Sequence, residues 1–355
     1  MQCQEKFREM QLKSILLLSI VSLTVVSCSK HEEATTNAVY DIDLTKLDAD
    51  SLPLSEFADS IIYIDPETTA DSRIGRIKDM AMVDSSIVLI DNASNEVMLF
   101  GSDGRYVGKI GSRGQGPGEF IKPNAIDADD KNIYVYDHVK GEILKYDYQG
   151  DYVSSDKTDF ADDFKHLSFK DRDAYLISRY NTDKNNAGVY LIAEDGSRKS
   201  KLLGSRYGIA INHPYDILKD GKRIVVFSND FENCIYTLKG DSLVCETKLN
   251  VTPLPTSDEI EKWEAPDILN HYVRTGFFVN GKWIFLNYSG PEGGRIVIID
   301  KMNKTVRVTK NIYNDLDSTH FIFWPRTAAN GRPLIETDGK DEESNPRLVI
   351  PCLKK

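Results

Sequence analysis

Two adjacent polar pairs, Asp137-His138 and Asn229-Asp230, and one further histidine, His213, are the side chains best suited to chemistry. A carboxylate beside an imidazole is what general acid–base catalysis or a divalent metal requires. The spacing completes neither. The six histidines are scattered without a His-Glu-x-x-His or His-x-His pattern, and no Gly-x-Ser-x-Gly elbow presents a nucleophile. The acidic runs 127–130 and 171–173 lack the glycine and closing glutamate of a calcium loop and read as solvated hairpin turns. No catalytic residue and no cofactor is expected. A divalent metal such as calcium is the alternative, without support from ligand spacing.

Residues 111–120 (GSRGQGPGEF) form a glycine-rich segment. Such loops cradle phosphate when they lead from a strand into a helix. Here a strand follows and no Gly-Lys-Ser/Thr ending is present, so the segment reads as a connector with Arg113 and Gln115 at its tip. Tyr180, Tyr215, Trp263, Tyr288 and Trp324 lie in connecting segments, where aromatic rings beside Asn287, Asp and Arg suit a sugar or peptide.

The elements that hold these residues follow from a repeat. An apolar, β-branched and aromatic run ending in a small polar residue recurs at 87–91 (IVLID), 133–137 (IYVYD), 174–178 (AYLIS), 224–228 (IVVFS) and 283–287 (WIFLN). The starts are 46, 41, 50 and 59 residues apart. A second apolar run follows each, then a tight polar turn rich in Asp and Gly, then an outward strand. Four strands per repeat at this period is the arithmetic of a β-propeller. Five units are explicit. A sixth is assembled from 321–324, 333–336 and 347–350, with 60–65 from the N-terminal side as its fourth strand, which closes the ring and removes its exposed edges. The expected fold is all-β: a six-bladed propeller of four-stranded antiparallel blades.

In such a blade the turns after the first and third strands share one face, and the loops after the second and fourth share the other. The first kind is short throughout, as at 129–132 and 219–222. The second is long, as at 111–122, 178–188, 204–214, 250–276 and 287–294. Rigid scaffolds carry function on such loops, and the long-loop face is the expected binding surface. Its largest insertion opens on Thr256-Ser-Asp-Glu259, a capping box. Pro266 limits any helix there to two short pieces.

The segment 111–120 followed by Pro123 resembles the NHL-type propeller signature, and the ending 345–350 (NPRLVI) is similar to the final strand of the six-bladed propeller lipoproteins of Gram-negative envelopes. The resemblance implies fold and location more than activity. The N-terminus agrees with it. Lys6, Arg8 and Lys13 precede a 13-residue apolar run, 14–26, too short to span a bilayer as a helix and suited to a signal peptide. The ending Val25-Val26-Ser27-Cys28 resembles the bacterial lipobox, which implies cleavage before Cys28 and a lipid anchor on it. Residues 1–27 are thus read as signal, 28–50 as a flexible polar tether and 51–355 as propeller.

The chain carries a formal charge of −11, and the signal region holds three basic and two acidic residues, leaving −12. That balance argues against nucleic-acid binding. Cys234 and Cys245 flank the turn at Lys239-Gly240 and could bridge a hairpin in an oxidising compartment. The sequence therefore reads as a monomeric, noncatalytic propeller tethered to the outer membrane that binds a glycan, a peptide or an envelope protein. The alternative is a metal-dependent hydrolase or lyase with its site in the central channel.

Overall fold

The computed structural model describes residues 38–83, 85–158, 163–169, 172–179, 186–194, 199–204, 215–228, 233–255, 257–260, 262, 270–323, 333–339, 341 and 343–355. Asn37–Lys355 form one unit. It is a six-bladed β-propeller of small antiparallel sheets.

The recurring apolar run is the second strand of each blade. Ser86–Asp91, Ile133–Asp137 and Trp283–Ser289 are buried over almost their whole length. A mid-sheet strand in a propeller is covered on both faces by neighbouring blades, so it reads as a continuous apolar run rather than an alternating one. The outermost strands have lost that cover: Tyr106–Lys109 alternates half-buried with exposed, and Lys199–Gly204 is largely exposed. Within a blade the strands form a simple meander, as in blade 1, where Ile77–Val83, Ser86–Asp91, Glu96–Gly101 and Tyr106–Lys109 pair in chain order. Blades 2 and 3 repeat this over 123–157 and 163–204. Blade 4 spans 215–252 and blade 5 spans 273–313.

Blades 4 and 5 each hold a fifth strand. Ala38–Asp43 pairs parallel with Ser242–Thr252, with Tyr40 opposite Leu249. Ala49–Pro53 pairs parallel with Thr305–Tyr313, with Leu52 opposite Ile312. The expectation of a free tether over 28–50 is therefore corrected for 38–50. Tyr40, Ile42, Leu44 and Leu52 are buried, and a segment that buries these side chains is held by them. Polar contacts fix its course. Arg295, itself buried, donates from Nε to the Leu44 carbonyl at 2.9 Å, and Asp48 exchanges hydrogen bonds with the Val308 backbone at 2.7 and 2.9 Å.

The same segment then supplies Ala58–Ile64 to blade 6, antiparallel to Arg347–Leu353, with Ile62 opposite Ile350. Among the described residues this sheet has three strands, Ile335–Thr337 being the third. The strand expected at 321–324 is not seen at 321–323, which are irregular. The closing motif 345–350 holds the ring shut by polar clasps. Asn345 Oδ1 accepts from Ile74 N–H at 2.7 Å, and its Nδ2 donates to the carbonyls of Glu67 and Ser72 at 2.9 and 2.8 Å. Arg347 grips Asp65 with two bonds, at 2.6 and 3.2 Å.

Candidate functional site

The small polar residue ending each apolar run sits where the second strand reaches the long-loop face. In blades 1 and 2 it is structural. Asp91 accepts from the N–H groups of Gly75, Arg76 and Ser94 at 2.8–3.0 Å and from the Ser94 hydroxyl at 2.7 Å. Burial pushes the Asp91 carboxyl up, but these bonds outweigh it and hold the group below its ordinary range. Asp137, also buried, accepts from Ile121 N–H at 2.5 Å, Val139 N–H at 2.8 Å, Lys140 N–H at 3.2 Å and Lys122 N–H at 3.3 Å. The Asp137 carboxylate, a candidate ligand group by sequence, is thus committed to ordering the chain around it.

The glycine-rich segment packs on that framework. Ser112–Arg113 and Glu119–Phe120 form a small parallel pair. Glu119 Oε2 accepts from Gly116 N–H at 2.7 Å, and the Tyr146 hydroxyl donates to the Gly118 carbonyl at 3.0 Å. The loop is a folded connector, with Arg113 and Gln115 exposed on it. His138 is half-buried on the adjoining turn, its N–H donating to the Lys122 carbonyl at 3.1 Å.

Blade 5 treats the equivalent position differently. Asn287 is fully buried, yet neither its Oδ1 nor its Nδ2 has a hydrogen-bond partner. A Cβ at Gly276 would lie 2.8 Å from the Asn287 Nδ2, so glycine leaves the room that the amide occupies. The neighbouring Tyr288 is buried with an unpartnered hydroxyl. Burial pushes its phenol well above the ordinary range, against the opposing charge of Arg274, so it is a neutral O–H. Arg274 lies opposite Tyr288 in the register, is buried, and has an unpartnered Nε. Its guanidinium pairs with Asp216 of blade 4 at 2.7 Å and lies 4.3 Å from the centroid of the Phe227 ring. Leaving a buried polar atom without a partner costs about 1–3 kcal/mol. Adjacent strand residues face opposite ways, so Tyr288 and Arg274 share the face towards blade 4 while Asn287 lies on the other face. These atoms are unsatisfied by the fold itself.

Of the other candidates, Tyr215 begins the innermost strand of blade 4. Tyr180, His213, Asn229, Asp230, Trp263 and Trp324 lie outside the described residues, as does Cys28. In the large insertion Ser257–Ile260 is helical, and Ile260 is buried. Cys234 and Cys245 are joined as a disulfide, their Cα atoms 5.9 Å apart. A bulge at Ile235/Tyr236 sets them diagonally, with Tyr236 opposite Cys245.

The innermost strands that line the ring carry charge in pairs. Asp127 meets Lys219, Asp163 meets Lys165 at 2.9 Å, and Asp216 meets Arg274. These carboxylates already face side-chain cations. The acidic run 127–130 also proves other than a solvated turn. Asp127 is buried and accepts from His166 N–H at 2.7 Å. Asp129 takes bonds from the Lys131 and Asn132 backbone and the Tyr134 hydroxyl, each 2.8 Å, and faces His166 Nδ1 at 3.1 Å. Among the described residues, His166, Asp173 and Glu194 form a grouping able to hold a metal, and it lies on the short-turn face. Sequence reasoning passed over His166 because its neighbours come from three other strand ends.

Among curated proteins none matches the chain. Among solved structures it is similar to a protein of Bacteroides fragilis NCTC 9343 described as exported, at 15% identity and a TM-score of 0.69, covering 90% of this chain and all of that one. A member of the DUF4221 family from Bacteroides vulgatus is also similar, at 9% identity and a TM-score of 0.53, covering 84% and 97%. At such identities the likeness is one of fold. Among the described residues no helix is long and apolar enough to cross a membrane. Residues 39–337 match the family described as domain of unknown function DUF4934, and the chain belongs to that family.

Proposed function

We propose that this protein is an exported, lipid-anchored propeller of the outer membrane that binds a glycan, a peptide or an envelope protein through its long-loop face, without catalysing a reaction. The observation that carries the reading is the set of buried, unpartnered polar atoms on Asn287, Tyr288 and Arg274. The Tyr288 phenol and the Arg274 Nε offer donors on the face towards blade 4, and the Asn287 amide offers donors and a carbonyl acceptor on the opposite face of the same strand end. That mix suits hydroxyl-rich or peptide ligands rather than apolar ones. A nucleophile or general base is not among them. Export and anchoring are supported by the n-region, the apolar run and the lipobox-like ending at Cys28. The likeness to a Bacteroides protein described as exported agrees with them.

The binding test is a glycan and peptide array probed with wild type and with the Asn287→Ala and Tyr288→Phe variants. The reading expects a hit that both variants weaken at least tenfold. Hits unaffected by either change would reject the blade 5 site. For the anchor, Cys28→Ser should abolish incorporation of labelled fatty acid and shift the protein from the membrane to the soluble envelope fraction. Retention of label in that variant would reject lipidation at Cys28.

A further inference from the structure

The short-turn face of blades 2 and 3 holds a second polar centre that the binding reading does not use. Three strands of blade 3 build it. In the register His166 lies opposite Tyr175, Ser168 opposite Asp173, and Ala174 opposite Ala193. Side chains two residues apart share a face of a sheet. His166, Tyr175 and Asp173 therefore point the same way, and Glu194, one residue past Ala193, joins them. That face packs on blade 2. The His166 ring stacks on Tyr134 with centroids 4.2 Å apart and planes within 16°, and Tyr175 flanks it at 5.6 Å. One donor atom from each of His166, Asp173 and Glu194 lies within 4.8 Å of the other two.

The imidazole is set up to act as a ligand. Its Nδ1 faces Asp129 Oδ2 at 3.1 Å, and Asp129 is itself fixed by two backbone N–H groups and the Tyr134 hydroxyl. With the ring proton on Nδ1, donated to that carboxylate, the lone pair is left on Nε2. His166 is 5% exposed, and its Nε2 has no hydrogen-bond partner. A carboxylate behind the distal nitrogen of a histidine is the usual outer support of a metal-binding imidazole. Neither stacking on Tyr134 nor packing in the core requires a free lone pair on Nε2.

We propose that His166 Nε2, Asp173 and Glu194 bind one divalent first-row transition ion, of the zinc or manganese class, between blades 2 and 3. A nitrogen donor and only three protein ligands disfavour calcium, which takes six to eight oxygens. Bonds of about 2.1 Å put tetrahedral donor atoms roughly 3.4 Å apart, so the carboxylates close in by about 1 Å when the ion enters. Both are partly exposed and sit at strand ends, which allows that movement. Glu194 Oε1 meanwhile faces Lys145 Nζ at 3.3 Å. The ammonium occupies the place of a cation and competes with the ion for this carboxylate.

The test is calorimetric titration of the full chain, stripped with chelator, with Zn²⁺ and separately with Mn²⁺. Co²⁺ absorption serves as a second readout of the coordination. One ion per chain is expected at micromolar affinity or tighter. Asp173→Asn/Glu194→Gln should weaken it at least a hundredfold, and Asp129→Asn about tenfold to a hundredfold. Lys145→Gln should tighten it several-fold. Because His166 is in the core, His166→Gln is read only alongside its melting curve, and the double variant at the partly exposed carboxylates is the deciding measurement. Absence of stoichiometric binding by wild type, or an affinity unchanged in the double variant, would overturn the site.

Discussion

Asp91 and Asp137 end their apolar runs as carboxylates, whereas Asn287 ends its run as an amide, and the difference is one of available donors. The two aspartates are saturated by backbone N–H groups of the loop entering their own blade and of the turn leaving the strand. Truncating Asp137 to alanine strands several buried donors, and a loss of about 3 kcal/mol or more is expected in urea unfolding. Asn287→Ala removes a group that satisfies nothing inside the fold, so its cost should be smaller, near that of a small cavity, or about 1 kcal/mol. Asp79 gives a pH signature. Burial pushes its carboxyl up to about 6, opposed by Lys165 and reinforced by Asp163. The folded state then holds a proton that the unfolded chain has released. This contribution to stability is full below about pH 4, falls as pH rises towards 6 and is gone above it. The fall is at most about 3 kcal/mol. Asp79→Asn keeps an acceptor for Ile126 N–H, 2.8 Å away in the wild type, and should flatten the stability difference between pH 5 and pH 8. A variant whose difference matched wild type would assign the pH dependence elsewhere.

At the scale of elements, the N-terminal strands act as a strap over the outer edges of blades 4 and 5. Sheet edges left bare are templates for association, and here they are covered by parallel strands whose inward side chains fill gaps at the rim. Leu44 is fully buried between them, with its carbonyl held by Arg295. Leu44→Ala should cost about 3 kcal/mol and lower the melting temperature measured by circular dichroism. The disulfide acts on the same blade from the other side. It closes a sequence separation of 11 residues, and replacing both cysteines with serine should lower stability by about 2–3 kcal/mol. Protection of both thiols from alkylation until reductant is added would verify the link directly.

The whole molecule is closed by pairing its two ends. Ala58–Ile64 and Arg347–Leu353 come from opposite ends of the chain and share blade 6, so the ring cannot be completed until both are present. A chain beginning at Asp65 would bare the edge at Arg347–Leu353 and leave Val349 and Ile350 without cover. It should run as soluble oligomers or aggregate on size-exclusion chromatography, whereas the full chain should run as a monomer. Closure also separates two faces of different character. The long-loop face holds the unpartnered groups of blade 5, and the short-turn face holds His166 and its carboxylates.

The periodic apolar runs by themselves determined the propeller, its blade order and the sense in which loops are shared between its faces. That was legible because each mid-blade strand is buried on both sides, and burial writes itself into consecutive residues. The clasp at 345–350 was visible as a motif, though not as a clasp. The strap at 38–53 was not legible, since a short mixed polar and apolar segment looks alike whether it is free or laid along a sheet edge. Only the tertiary structure decided which polar side chains meet. His166 faces Asp129 across two blades, Arg274 faces Asp216 across another pair, and Asp137 is spent on its own loop. Such meetings depend on strand register and on how one blade packs against the next, and a linear pattern of residue types carries neither.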